Sequence, residues 1–186
     1  MTAAAAGVDT RRFRRVFGHF CTGITVITTA DEDGPAGFAC QSFTPLSLDP
    51  PLVLFCPQRT SQTWRRIRTS GVFCVNVLAE EHREVSRVFG TSVPDKFAGL
   101  PWTPAPSGAP ILPDALTWAD CRIEAVHPGG DHAIVVGRVT ALGECRPVAP
   151  LLFFRGRYTG TSPISPHEPP EVVDTLLAWT RHTDWI

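Results

Sequence analysis

Gly37-Phe-Ala-Cys-Gln-Ser-Phe-Thr-Pro-Leu-Ser-Leu-Asp-Pro-Pro-Leu52 is the stretch on which the architecture turns. From Gly37 to Leu48 it is a mixed, extended segment rich in Ser, Thr and Gln. Asp49 and the Pro50-Pro51 pair end it, because proline cannot donate to a central ladder. The next run, Pro51-Leu-Val-Leu-Phe-Cys56, is short and continuously apolar, which is the pattern of a fully buried strand. No helical segment separates the two, so the alternation of a parallel βαβ sheet fails here.

The same reading extends in both directions. Upstream, Gly23-Ile-Thr-Val-Ile-Thr-Thr29 is β-branched almost throughout and reads as a strand, followed by the turn cluster Asp31-Glu-Asp-Gly-Pro35. Before it, residues Asp9 to Cys21 predict an amphipathic helix. Phe13, Val16, Phe17 and Phe20 share one stripe, Asp9 or Thr10 caps it, and Arg11, Arg12, Arg14 and Arg15 form a solvated flank. Downstream, a helix is expected from Ser61 to Ser70, with Trp64 and Ile67 apolar and Ser61 as N-cap. A strand follows from Gly71 to Leu78, its apolar run interrupted by Asn76. A third helix, Glu80 to Phe89, turns Val85, Val88 and Phe89 inward.

Residues Thr91 to Pro113 hold six prolines, too many for a helix interior or a central strand, and predict a long functional or mobile loop. Strands are expected over Asp120–Val126 and Ala133–Leu142, joined by His127-Pro-Gly-Gly-Asp-His132, and a last strand over Leu151–Tyr158. A Pro/Ser linker and a short helix from about Glu171 to Arg181 close the chain. Strands dominate and the internal helices are short. The fold class is mainly β, an antiparallel Greek-key barrel with peripheral α-helices. One domain accounts for 1–186, with its core at about 10–160 and a tail over 161–186.

Composition removes several classes of function. The chain has 186 residues and a net charge of −1, without the basic excess of a nucleic-acid binder. No apolar window is long enough for a membrane helix, and residues 1–8 lack the pattern of a secretory signal, so a cytoplasmic location is expected. Of the 17 basic residues only Lys96 is a lysine, a bias of the genome more than of function. The six cysteines, Cys21, Cys40, Cys56, Cys74, Cys121 and Cys145, contain no CxxC pair, so no metal site is expected. They read as reduced thiols, and Cys21, Cys56, Cys74 and Cys121 lie in apolar runs as small buried hydrophobes. No G-x-G-x-x-G follows the first strand and there is no P-loop.

Three segments can carry chemistry. The hydroxyls and amides of Gln41, Ser42, Thr44 and Ser47 suit a polar, phosphate-bearing ligand, or simply a solvated edge strand. Gly129-Gly130-Asp131-His132 permits positive φ and close approach of a ligand, or is an ordinary solvated turn. Gln58-Arg-Thr-Ser61 precedes a helix and is an anion site or an N-cap.

Taken in order, Phe20-Cys-Thr-Gly-Ile-Thr-Val-Ile-Thr-Thr29, Gly37-Phe-Ala-Cys-Gln-Ser-Phe43, Ser47-Leu-Asp-Pro-Pro-Leu52, Gly71-Val-Phe-Cys-Val-Asn-Val-Leu78, Lys96-Phe97, Gly130-Asp-His132 and Pro150-Leu-Leu-Phe-Phe-Arg-Gly-Arg-Tyr158 resemble the short-chain flavin reductases that serve two-component flavin-dependent monooxygenases. The likeness covers about residues 10–160. It is closest to reductase partners of actinobacterial aromatic hydroxylases, including those of steroid catabolism and antibiotic assembly. The resemblance implies an FMN-binding split β-barrel and a homodimer. It implies that Ala39, Cys40, Gln41 and Ser42 line the isoalloxazine and ribityl chain, and that Ser47, Leu48 and Asp49 lie toward the ribityl and phosphate end. Cys56, Pro57, Thr60 and Ser61 would close the site, and Lys96 and Phe97 would add flavin contacts from a loop. Gly130, Asp131 and His132 match the family's nicotinamide-dinucleotide motif, and Tyr158 its C-terminal aromatic. Cys40 departs mildly from the family pattern.

The implied activity is hydride transfer from NADH, with NADPH as the alternative, to FAD or FMN. The reduced flavin then reaches an oxygenase by diffusion. Such chemistry belongs to the two cofactors and needs no acid–base catalytic residue of the protein. Two rivals share the barrel: a tight flavoprotein oxidase of the pyridoxamine-phosphate-oxidase type, and a non-enzymatic flavin- or haem-binding protein.

Overall fold

The computed structural model describes residues 7–161. The expected helix at 171–181 lies outside them. The described chain runs α1 (Thr10–Phe17), β1 (Thr22–Gly23), β2 (Thr25–Asp31), β3 (Gly34–Cys40), β4 (Thr44–Leu48), β5 (Pro51–Phe55), α2 (Gln62–Ser70) and β6 (Val72–Val77). A 3₁₀ turn (Glu80–His82) leads into α3 (Arg83–Phe89). Then come β7 (Thr103–Pro104), β8 (Pro110–Ile111), β9 (Thr117–Gly129), β10 (His132–Leu142), β11 (Leu152–Phe154) and β12 (Arg157–Thr159).

Seven strands form one antiparallel sheet in the order β3-β2-β6-β9-β10-β5-β4. Its two edge strands, β3 and β4, are consecutive in sequence. Laid flat, six strand spacings would separate them by about 29 Å. The link from Cys40 to Thr44 spans at most about 15 Å. The sheet therefore curls until its edges approach, which makes a barrel split between β3 and β4. The single mixed strand expected over Gly37–Leu48 is thus two strands, broken where the chain crosses the split. Register shifts in the β9–β10 pair, at Val136/Gly137 and Val139/Ala141, add the bend that closure needs. At Gly137 a Cβ would stand 2.3 Å from the Phe73 ring, so only glycine lets that ring lie against the strand.

The barrel interior is filled by Ile27, Val53, Phe55, Phe73, Val75, Cys121 and Val135, with Trp64 and Ile67 of α2 as the plug. Phe55 sits edge-on to Phe73 and Trp64, at centroid separations of 5.0 and 6.3 Å. A second cluster joins Ile24, Val26, Leu78, Phe89, Phe97, Leu112 and Leu151 on the other side of β2. Burial on both faces from Thr25 to Thr29 explains why that part of β2 is β-branched throughout instead of alternating. Its buried threonines are satisfied. Thr25 Oγ1 donates to the Cys40 carbonyl at 3.1 Å, and Thr29 Oγ1 to the Val72 carbonyl at 3.0 Å.

Asn76, which breaks the apolar run of β6, is fully buried and pins the proline-rich excursion to the barrel. Its Nδ2 donates to the carbonyls of Val26 and Pro110 and to Thr28 Oγ1, and its Oδ1 accepts from the Leu112 amide at 2.8 Å. Nearby, the buried Asp120 carboxylate accepts from the Ser107 amide and hydroxyl at 2.8 and 2.6 Å. So residues 103–113 are a small hairpin held fast, and the first part of the predicted loop is anchored at Lys96 and Phe97.

Three expectations are corrected. Helix α1 ends at Phe17, and no described element covers its apolar stripe: Phe13, Val16, Phe17 and Phe20 are 53–75% exposed. Cys21, just past α1, is likewise exposed instead of buried; Cys56, after β5, is half-buried, while Cys74 and Cys121 are core residues. The last strand is a hairpin, β11–β12, turning at Arg155 and Gly156, both with positive φ.

Candidate functional site

A cavity of about 1100 Å³ opens at the barrel's split. One wall is β3 and the chain that leaves it, residues 35–42. A second is the Cys56–Gln58 segment with the N-cap and N-terminal half of α2 (Ser61, Gln62, Thr63 and Arg66). The third is the end of α3 and the loop 90–97, with His132 at the rim of the β9–β10 hairpin.

The wall of β3 is built from small residues, Ala36, Gly37 and Ala39, which leaves room for a flat ligand. Gly37 is obligatory for packing, since a Cβ there would meet the Phe89 ring at 2.7 Å and the Ile27 carbonyl at 3.1 Å. Where the chain leaves β3, Ser42 turns back to β5. Its hydroxyl accepts from the Cys56 amide at 2.9 Å and contacts the Cys40 sulfur at 3.3 Å. Burial pushes the Cys40 thiol up, partly offset by the Ser42 hydroxyl and by nearby amides.

Ser61 caps α2, its hydroxyl accepting from the Trp64 amide at 3.2 Å. Arg66 on the same helix is fully engaged. It forms a two-pronged pair with Asp31, with Nε to Oδ2 at 2.7 Å, and donates to the Gly34 carbonyl. That guanidinium holds the Asp31 carboxyl below its usual range.

Lys96 differs from Arg66. Its half-buried ammonium donates to two neutral carbonyls, Gly37 at 3.2 Å and Phe89 at 3.1 Å. Among the described residues no carboxylate pairs with it. Burial alone depresses its pKa. The cavity therefore carries a cation with charge to spare, which suits an anionic ligand. The Thr63 hydroxyl shares the Gly37 carbonyl, at 3.5 Å.

His132 is positioned by its turn. Gly130 takes φ +72°, so Gly130-Asp131 closes a two-residue connection between β9 and β10. Backbone bonds from the Arg59 amide to the Asp131 carbonyl and from the Ala133 amide to the Pro57 carbonyl, both 3.0 Å, fasten this turn beside the Cys56–Gln58 wall. The His132 Nδ1 lies 2.7 Å from Asp131 Oδ1. An ionised carboxylate only accepts, so Nδ1 carries the proton and Nε2 is the free ring nitrogen. The bond to His132 also lowers the Asp131 pKa.

Of the residues singled out from sequence, Ala39, Cys40, Gln41, Ser42, Cys56, Pro57, Ser61, Lys96, Phe97 and His132 share this one cavity. Gly130 and Asp131 stand behind His132, and Thr60 lies in the turn before α2. Ser47, Leu48 and Asp49 are on the β4 edge and the turn after it, outside the wall. Tyr158 packs on Phe153, and its hydroxyl bonds Ser86 at 3.1 Å. Sequence reading missed Gln62, Thr63, Arg66 and Phe89. The cap at Ser61 was the one local signal for the first two. Arg66 and Phe89 reach the cavity only through helix placement.

An antiparallel split barrel with a long cavity, a small-residue wall and an unpaired ammonium is the build of a flavin-binding protein. Residues 17–162 match the flavin reductase like domain, and the chain belongs to that family. It is 58% identical over 160 residues to the reductase subunit HsaB of a flavin-dependent monooxygenase from Rhodococcus jostii, covering 86% of this chain and 82% of that one. The crystal structure of nitrilotriacetate monooxygenase component B from Mycobacterium thermoresistibile superposes with a TM-score of 0.84 at 50% identity, covering 94% of this chain and 99% of the other. The NADH:FAD oxidoreductase SgcE6 of Streptomyces globisporus, solved with NAD and FAD fragments, gives a TM-score of 0.80 at 34% identity, covering 87% and 99%. The protein is thus an oxidoreductase of the flavin reductase class, whose cofactors are a flavin and NADH. No helix among the described residues is long and apolar enough to cross a membrane.

Proposed function

We propose that this chain is the reductase component of a two-component monooxygenase. It oxidises NADH, reduces FAD in preference to FMN, and releases the reduced flavin to diffuse to an oxygenase acting on an aromatic substrate, in steroid catabolism or natural-product assembly. It works in the cytoplasm as a homodimer. The observation that carries this reading is the cavity of about 1100 Å³ flanked by Lys96 and His132. Its size exceeds the roughly 300–1,000 Å³ of an ordinary small-molecule site, as expected where parts of two dinucleotides must meet.

When both are bound, the dinucleotide supplies a hydride and the flavin accepts it, so the bond changes belong to the ligands. The protein binds and orients. Ala39, Cys40, Gln41 and Ser42 line the flat ring, with the small β3 residues allowing close approach. Lys96 offsets the flavin's negative charge inside a partly dry wall. His132, its Nδ1 proton committed to Asp131, accepts from the nicotinamide's carboxamide through Nε2. The Cys56–Gln58 segment, with Pro57 buried, gives the stack a second wall. The exposed face of α1 is where the second copy packs, because four adjacent apolar side chains left in water mark a contact surface.

Purified protein with NADH and added FAD is expected to bleach the flavin's visible absorbance over many turnovers. Protein that consumes no NADH, or holds its flavin and reduces no added flavin, overturns the reading.

A further inference from the structure

Cys40 and Cys56 both line one cavity, and a single hydroxyl, that of Ser42, links the Cys40 sulfur to the Cys56 backbone. The Cys40 sulfur lies 3.3 Å from Ser42 Oγ, and Ser42 Oγ accepts from the Cys56 amide at 2.9 Å and donates to the Cys56 carbonyl at 3.3 Å. The Cys40 sulfur is thus within two hydrogen-bond lengths of the Cys56 backbone, and the Cys56 amide itself acts on the Cys40 thiol. Cys40 is 5% exposed and Cys56 half-buried, and both line the cavity. The other four cysteines differ. Cys74 and Cys121 are core residues outside the cavity wall. Cys21 and Cys145 are exposed and also lie off the wall.

We infer that Cys40 and Cys56 are a peroxide-responsive pair, and that oxidation joins them in a disulfide across the wall of the cavity and switches flavin binding off. The inference rests on the proposed placement of the flavin in this cavity. The oxidant is hydrogen peroxide, formed when reduced flavin that escapes its oxygenase meets dioxygen: reduced flavin and O₂ give oxidised flavin and H₂O₂. Cys56, the more open thiol, is attacked first. Its thiolate takes one peroxide oxygen and becomes a sulfenic acid, and the other oxygen leaves as hydroxide. The Cys40 sulfur then attacks the Cys56 sulfur, the S–S bond forms, and the sulfenic oxygen leaves as water. In total two thiols and one peroxide give one disulfide and two waters. Ser42, whose hydroxyl touches both residues, must swing aside, so the bond removes two wall contacts of the ring site at once. A bound flavin covers both sulfurs and protects them. The arrangement stops a reductase that is producing peroxide faster than an oxygenase is using reduced flavin.

The test is peroxide treatment of the full-length protein, alkylation of free thiols, and peptide mapping. Arg15 and Arg59 are consecutive tryptic sites, so Cys21, Cys40 and Cys56 share one tryptic peptide. A second protease cutting at Asp49 separates the pair. The expected result is a linked Cys40–Cys56 fragment whose yield tracks loss of FAD binding and of activity. Saturating FAD slows its formation, and dithiothreitol reverses both changes. Cys40→Ser and Cys56→Ser each abolish the fragment and the dithiothreitol-reversible part of the loss, measured against each variant's own untreated value. Alkylation of both thiols after peroxide, oxidation confined to Cys21 and Cys145, or linkage with FAD binding intact would overturn the inference. The mapping needs no turnover, so it reads the thiol pair even if flavin reduction fails.

Discussion

Replacing Lys96 by Met keeps the apolar stem and removes the cavity cation that, among the described residues, has no acidic partner. Its ammonium gives two bonds, of 3.1 and 3.2 Å, to neutral carbonyls, so its charge is not cancelled before a ligand arrives. A charge-assisted hydrogen bond is worth about 1.5–3 kcal/mol, so the oxidised-FAD Kd is expected to rise about 10- to 150-fold. Lys96→Arg, which retains the cation, should recover most of the affinity. The pH profile separates charge from packing. Burial lowers the Lys96 pKa below the usual lysine value of about 10.4, so the ammonium is lost earlier than in the unfolded chain. FAD affinity should weaken as pH climbs through that lowered value, and the Met variant should lack this alkaline fall. Stability moves the other way. Between the two pKa values the unfolded chain binds more protons, so unfolding free energy rises with pH there, and Lys96→Met removes that rise. Fluorescence titration of FAD from about pH 7 to about 9.5 reads the binding side. Equal FAD affinity in wild type and Lys96→Met, with the same pH profile, refutes the charge assignment.

His132→Ala removes one hydrogen bond to the dinucleotide, worth about 0.5–1.5 kcal/mol, and should raise the NADH KM about 2- to 10-fold while the FAD KM moves less. An unchanged NADH KM returns His132 to a solvated turn. Asn76→Leu leaves the buried Leu112 amide without its acceptor and releases the 103–113 hairpin. A loss of about 3 kcal/mol is expected, lowering Tm by about 6–12 °C in a thermal melt, whereas a Tm within a degree or two of wild type denies the network its role. Phe17→Glu, on the uncovered face of α1, should shift the protein from dimer to monomer in light scattering without loss of the barrel's circular dichroism. A dimer of undiminished affinity moves the interface elsewhere.

How much was legible from sequence follows from the range of each signal. The N-cap at Ser61, the turn at Gly130 and the strand β5 are local, and each was found where the structure has it, although β5 fully buries only Val53 and Phe55 and not the whole expected run. Residues 39–42, Cys56, Ser61, Lys96 and His132 were marked as one site through a resemblance that keeps their order. Their convergence is a property of the closed barrel. Asn76 stood out as a polar residue in an apolar strand, but its partners lie 36 and 50 positions away and carry no sequence mark. The α1 stripe misled because periodicity reports that a face is apolar, not what covers it.

The sequence by itself determined that the chain is strand-rich, antiparallel and served by short helices, because strand and helix periods and the proline breaks act over a few residues. It also supplied the ordered set of residues by which a flavin reductase is known. Tertiary structure decided the rest. Seven strands whose first and last are tied by a few residues must close, and closure alone brings β3, α2, the 90–97 loop and the β9–β10 turn to one cavity. The state of each charge was settled there as well: Arg66 is cancelled by Asp31, His132 is oriented by Asp131, and Lys96 is left with carbonyls alone. Those differences depend on distances in space, which residue types and spacing do not carry.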